Sequence, residues 1–396
     1  MSSYSLADLT WARGFTDPAW VRLHMTSARE ILPTRRVWRG SGAPTALPVD
    51  LRPDLDSVRT PTPDGRELTL TDVLAGAQTD ALLVLHRGRI VLERYLHGCE
   101  ARIPHFNASA AKSYLGLAAA VLEHQGQLDR TAQVSSYVPE LARTAFGEAR
   151  VDHLLHMGTL MSYAGRPFDK ALEAQRYFAI LAPQLRPFGY TGPATVREHL
   201  ATARPTGEPG TEFRYENGNV EALAEVLRRV TGLTTSALLG ELLWSGIGAE
   251  EDAYYAVDAE GTEAASGGFS ATARDVARLG EMLRRGGAAG DRQVVPEAVA
   301  STIVSKVPEC CPRKVRFPVA PASAPATLSY HDLWWIPNDP HGSYMASGIH
   351  GQRLFVSPGL DLVVVHFGAQ VMSPSTPQVP LIQAFLALGT HLAEQS

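Results

Sequence analysis

FNASAAKSYLGLAAAVLEHQGQLD, residues 106–129, places a lysine where none is expected. From Ser113 to Leu122 the residues are almost all small or apolar, the composition of a helix packed on every side rather than one lying on a surface. The chain carries 36 Lys plus Arg, yet only four of these are lysines: Lys112, Lys170, Lys306 and Lys314. A sequence that writes its positive charge as arginine seldom needs a lysine for solubility. The two also differ chemically, since arginine keeps its proton whereas a desolvated lysine can release it and act as a base. Ser109 stands three residues before Lys112, and at about 100° per residue positions i and i+3 share a helix face. Hydroxyl and amine therefore come within hydrogen-bond reach. Serine and lysine three apart also occur by chance in many chains. Here no other lysine has Ser or Thr three residues upstream, and the Ala/Gly/Leu run that follows would desolvate the amine.

Working outward, DALLVLHRGRIVLERYLHG (80–98) is two apolar, β-rich runs broken by Arg87-Gly88, which predicts a hairpin feeding the helix. Residues 40–68, rich in Pro, Gly, Asp and Arg, read as a surface excursion. From about 140 to 289 helical spacing dominates, in ATVREHLATA, NVEALAEVLRRVTG and TARDVARLGEMLRRGG, the last two closed by glycine. After 325 the pattern becomes TLSYHDLWWI, QRLFVSPG and LDLVVVHFGA, antiparallel strands with short turns, and PLIQAFLALGTHLAEQ closes as an amphipathic helix. Strands at both ends with a helical middle predict an α/β (α+β) chain. Its sheet domain would comprise residues 1–105 and 290–396, with a mostly helical domain, 106–289, inserted and the active site between them.

With 396 residues, 45% of them hydrophobic and 19% charged, the chain is long enough for two lobes around a large core. A net charge of −5 and the lack of a Lys/Arg-rich run argue against nucleic acid. The N-terminus has no basic segment followed by an apolar one, and no run approaches the ~18 apolar residues needed to span a bilayer. These features lead us to expect a cytoplasmic protein without a membrane partner. Cys99, Cys310 and Cys311 are few, odd in number and partly adjacent, which suggests thiols rather than a disulfide framework. Nothing calls for a cofactor. His153 and His156 form an H-x-x-H without a third ligand at suitable spacing, and read as helix residues rather than a metal site.

A Ser/Lys pair needs a second proton carrier and two N–H donors for an oxyanion. In GTEFRYENGNVEALAEVL (210–227), Tyr215-Glu216-Asn217 lies in a polar, Gly-flanked turn before a helix. Tyr215 reads either as a proton shuttle beside the lysine or as an ordinary capping-loop aromatic, and Asn217 could orient the amine. In SYMASGIHGQRLFVSPG (343–359), Gly348 opens either a close approach of backbone to substrate or a β-bulge. His350 and Gln352 read either as pocket-lining residues or as structural hydrogen bonders.

S-A-A-K, Y-E-N and the A-S-G strand, in that order, resemble the serine β-lactamase/penicillin-binding-protein superfamily, specifically its class C branch. Within that branch DALLVLHRGRIVLERYLHG, YVPELA, LRRVTGL, SGGFSATARDVARLG and GIHGQRLFVSP resemble segments of the 6-aminohexanoate-dimer hydrolases. The resemblance implies a β-lactamase-like fold, an antiparallel sheet flanked by terminal helices, and a serine hydrolase acting on small esters or amides. Ser109 would be the nucleophile, Lys112 its base and Tyr215 the shuttle. The N–H groups of Ser109 and Ile349 would hold the oxyanion, and Asn217, Ser266 and Ser347, with His350, would face or orient substrate. A transacylase would use the same centre, a homodimer is left open, and a non-catalytic binding module would be expected to have lost these residues. Two departures matter. Ala346 replaces the lysine with which lactam-binding members grip a carboxylate, which argues against β-lactam turnover. In SYAGRPFDKALEAQRYFAILA, Pro167 or Phe168 and Phe178 stand where the nylon-oligomer enzymes carry a tyrosine and an acid, which argues against linear-amide binding of their kind.

Overall fold

The computed structural model describes residues 17–62, 65–163, 179–181, 186, 190–303, 328–371 and 379–395. Its centre is an antiparallel sheet of seven strands: β1 (Thr79–His86), β2 (Arg89–Tyr95), β3 (Ser329–His331), β4 (Trp334–Ile336), β5 (Tyr344–Ser347), β6 (Arg353–Ser357) and β7 (Leu362–Gly368). They lie in the order β3-β4-β5-β6-β7-β1-β2. The ends of the chain thus meet where β7 pairs with β1, from Leu362 opposite His86 to Gly368 opposite Thr79. Every residue of β1 and β7 is buried. Such strands are covered on both faces, which is why they read as unbroken apolar runs rather than alternating ones. The predicted hairpin joins β1 to β2, and Arg87 and Gly88 take φ of 50° and 77°, the paired left-handed backbone of a two-residue turn that follows strand twist.

Two helices cover the sheet from opposite sides. Phe385 of the C-terminal helix (Leu381–Glu394) packs on Phe355, ring centroids 5.6 Å apart. Leu354, pointing to the other face as its neighbour must, meets the helix Ala273–Arg284, where a Cβ on Gly280 would stand 2.7 Å from the Leu354 side chain and 2.6 Å from that of Val363. Only glycine admits that approach. Thr272 caps this helix by accepting from the Asp275 N–H at 3.2 Å. The boundary drawn at residue 289 assigns the helix to the helical portion, although it lies against the sheet. We retain the two lobes as a proposal.

The helix expected to carry both Ser109 and Lys112 begins only at residue 111; it runs Ala111–His124 and is hereafter α1, and Asn217–Thr231 is α2, closed by Gly232 at φ 71°. Leu115, Leu117, Ala118, Ala119, Val121 and Leu122 are all within 3% of full burial, as their composition required. A Cβ on Gly116 would sit 2.4 Å from the Asp332 carbonyl oxygen, and the Ser113 hydroxyl donates to the Leu333 carbonyl at 2.7 Å. The turn between β3 and β4 is therefore pressed into α1. The region from 40 to 68 is largely a surface excursion, with Val49 and Leu51 more than half exposed, but Arg59–Pro61 and Glu67–Thr69 pair as two short strands. Among the described residues no helix is long and apolar enough to cross a membrane. Cys99 is buried, which pushes its thiol up to about 12. Cys310, Cys311, Lys170, Lys306, Lys314, Pro167, Phe168 and Phe178 lie outside the described residues.

Candidate active site

Ser109 sits not in α1 itself but in the 3-10 turn Ala108–Ala110 that leads into it. Ala108 is held at φ 47°, a left-handed conformation that a non-glycine residue adopts only when its surroundings impose it. Those surroundings are specific. The Asn107 N–H donates to the Phe269 carbonyl at 2.7 Å, its side-chain amide donates to the His105 carbonyl at 2.7 Å, and its carboxamide oxygen accepts from the Tyr114 hydroxyl at 2.9 Å. The turn is thus locked and presents a half-buried Ser109.

Lys112, 1% exposed, donates from Nζ to Ser109 Oγ at 2.9 Å and to the Ser266 carbonyl at 2.6 Å. Nζ also lies 5.1 Å from the centroid of the Tyr215 ring. Tyr215, two residues ahead of α2, stacks on Trp335 at 5.8 Å and meets Tyr330 edge-on at 6.1 Å. Phe213 adds a further edge contact to Tyr330 at 5.3 Å. The expected trio of Ser109, Lys112 and Tyr215 is therefore brought together, against an aromatic wall.

Of the other expected residues, Ser266 enters through its carbonyl. Among the described residues its buried hydroxyl has no hydrogen-bond partner. The carbonyl is aimed by Glu221 on α2, whose carboxylate accepts from the Ala265 N–H at 3.1 Å and the Ser266 N–H at 2.7 Å. Asn217 opens α2. Ser347 ends β5, and a Cβ on the next residue, Gly348, would come 2.4 Å from the Asn107 carbonyl oxygen and 3.1 Å from Ala108 Cβ. Close approach is thus what that glycine permits, and it sets Ile349 beside the serine turn. His350 is 4% exposed at φ 63°, with Nδ1 2.7 Å from the Gln370 carbonyl. Burial lowers its pKa to about 4. Gln352, fully buried, donates to the carbonyls of Gly368 at 2.7 Å and Ile349 at 3.2 Å. For both, the structural hydrogen bond is the alternative the structure displays.

The H-x-x-H pair divides. His153 lies in the short helix Val151–Leu155, and its Nδ1 accepts from the Arg150 N–H at 3.2 Å. His156 instead joins His331 and Asp332, with donor atoms within 4.8 Å of one another. Asp332 is already engaged by Arg130 at 3.2 Å, which Glu123 holds in turn at 2.6 Å. This is an ion-pair network that runs from the buried Asp332 to the half-exposed Glu123 at the end of α1.

Residues 69–379 match the family model described as Beta-lactamase, and the chain belongs to that family and is a serine hydrolase. It is 34% identical over 336 residues to the 6-aminohexanoate-dimer hydrolase of Paenarthrobacter ureafaciens, covering 85% of this chain and 82% of that protein. A solved structure of a candidate 6-aminohexanoate-dimer hydrolase from Bacillus anthracis superposes with a TM-score of 0.85 at 30% identity, over 100% of this chain and 98% of that one. At 18% identity and a TM-score of 0.57, EstCE1, a hydrolase with promiscuous acyltransferase activity, shares the fold over 81% of this chain and 96% of its own.

Proposed function

We propose that this hydrolase works through an acyl-enzyme on Ser109 and acts on small esters or amides. The observation that carries the reading is the 2.9 Å bond from Lys112 Nζ to Ser109 Oγ, with the Tyr215 ring centroid 5.1 Å from the same amine. Neutral Lys112 takes the serine proton as Oγ bonds to the substrate carbonyl carbon, and the N–H groups of Ser109 and Ile349 receive the oxygen that becomes charged. Tyr215, with Lys112, passes the proton to the departing alkoxide or amine. Water then attacks the acyl carbon and the serine recovers its proton. Asn217, which opens α2, and Ser347, which ends β5, would act as orienting residues.

Fluorophosphonate treatment, or a short incubation with p-nitrophenyl acetate, is expected to place one adduct on Ser109 by peptide mass spectrometry. An adduct elsewhere, or one that persists in Ser109→Ala, ends the proposal. A second reading, acyl transfer to an alcohol or amine, uses the same residues. What favours it is that Phe213 and Tyr215, both half-buried, are backed by the buried Tyr330 and Trp335, an apolar setting in which an acceptor could compete with water. Product partition between acid and ester in added alcohol separates the two.

A further inference from the structure

The segment from Glu263 to Phe269 serves the base and the nucleophile at once. The Ser266 carbonyl accepts from Lys112 Nζ at 2.6 Å, a Cβ on Gly267 would stand 3.7 Å from the Ala108 carbonyl carbon, and the Phe269 carbonyl accepts from the Asn107 N–H at 2.7 Å. α2 grips this segment at two points. Arg228 bonds the Glu263 carboxylate at 3.0 Å. Glu221, two turns earlier and so on the same face of the helix, accepts from the N–H groups of Ala265 at 3.1 Å and Ser266 at 2.7 Å, one on each carboxylate oxygen. Tyr215 stands two residues ahead of the first turn of the same helix. One helix therefore sets Tyr215 and the acceptor of the Lys112 amine in a common register.

A carboxylate 1% exposed is a costly way to hold a helix against a loop, and an apolar contact would pack the two together more cheaply. What the carboxylate adds is direction, because both of its oxygens are spent on successive backbone N–H groups. The chemistry of the base has a use for that direction. A neutral amine carries two N–H bonds and one lone pair, at the end of a flexible four-carbon stem. With one N–H spent on the Ser266 carbonyl, the position of that carbonyl decides whether the lone pair meets the Ser109 proton.

We propose that Glu221 is a positioning residue for the base: by clamping the Ala265 and Ser266 N–H groups it fixes the carbonyl that turns the Lys112 lone pair toward Ser109. The inference rests on the acyl-enzyme reading above.

The test is a double-mutant cycle on Glu221→Gln and Lys112→Ala. It is read as kcat and KM for p-nitrophenyl butyrate and, where turnover is too slow to follow, as the rate of fluorophosphonate labelling of Ser109. Glutamine keeps the length and one acceptor oxygen but sets an NH2 group against the second N–H. Glu221→Gln alone is expected to lower kcat about tenfold or more with KM little changed. In Lys112→Ala, where no amine remains to be aimed, the same substitution should add a loss of less than about twofold. A kcat within about twofold of the wild type in Glu221→Gln alone overturns the role. So does a loss that recurs undiminished in Lys112→Ala, which would mean that Glu221 props up the serine turn as a whole. Should Glu221→Gln not fold, Glu221→Asp, which keeps the charge and shortens the reach by one methylene, takes its place in the same cycle with the same expectations. A wild type that does not label at Ser109, or a Lys112→Ala enzyme with undiminished turnover, fails at the acyl-enzyme reading itself, whereas a loss independent of Lys112 fails at Glu221 alone.

Discussion

Lys112→Arg is expected to lower kcat for p-nitrophenyl butyrate by at least ~10²-fold, because a permanently charged guanidinium would replace an amine that can be neutral. The lysine is 1% exposed and fastened between Ser109 Oγ and the Ser266 carbonyl. A base must accept the serine proton, and a guanidinium has no free pair with which to do so. Arginine is also bulkier, so a low rate alone would not separate lost chemistry from poor fit. Lys112→Ala supplied with methylamine removes that ambiguity. A small amine that enters the space left by the side chain should restore turnover in proportion to its unprotonated fraction, and guanidine should not. Near-normal kcat in Lys112→Arg, or equal rescue by guanidine, would show that only positive charge mattered there.

What the sequence disclosed about this centre depended on how local each signal was. Lys112 was legible because a lone lysine conflicts with the small, apolar run around it, and that conflict is resolved only in a packed helix with a function for the amine. β1 and β7 were legible as continuous apolar runs, and Arg87-Gly88 as the turn between strands. Glu221 was not. On α2 it reads as one charged residue among Glu221, Glu225, Arg228 and Arg229 on an amphipathic helix, where charge usually faces water. Its burial at 1% is explained only by two N–H groups 44 and 45 residues further along. His350 was legible only as two alternatives, since a histidine next to a close-approach glycine fits a pocket or a structural hydrogen bond equally well, and its φ of 63° with Nδ1 2.7 Å from the Gln370 carbonyl cannot be read from residue type.

The second large effect is on stability. Asp332→Asn is expected to cost about 3 kcal/mol of unfolding free energy at neutral pH, near the lower end for breaking a buried ion pair because Arg130 keeps Glu123. Asp332 lies 3.1 Å from His156 and 3.2 Å from Arg130, in the turn whose carbonyls meet Gly116 and Ser113 of α1. Burial alone would raise its pKa. His156, 3.1 Å away, and the charge of Arg130, 3.2 Å away, outweigh that and hold the carboxyl far below the ordinary range. A group whose folded pKa is depressed contributes stability that is complete above its unfolded pKa, near 4, and is lost as pH falls from there toward the folded value. The gap between wild type and Asp332→Asn in urea midpoint should therefore be constant from pH 7 to pH 5 and narrow below about pH 4. A gap that persists unchanged in acid would mean that the asparagine disturbs packing and that the charge contributes nothing. Because the same turn braces the helix that holds Lys112, Asp332→Asn should also reduce esterase kcat modestly. Added methylamine should not restore that loss, since the resident amine is displaced and still fills its own space.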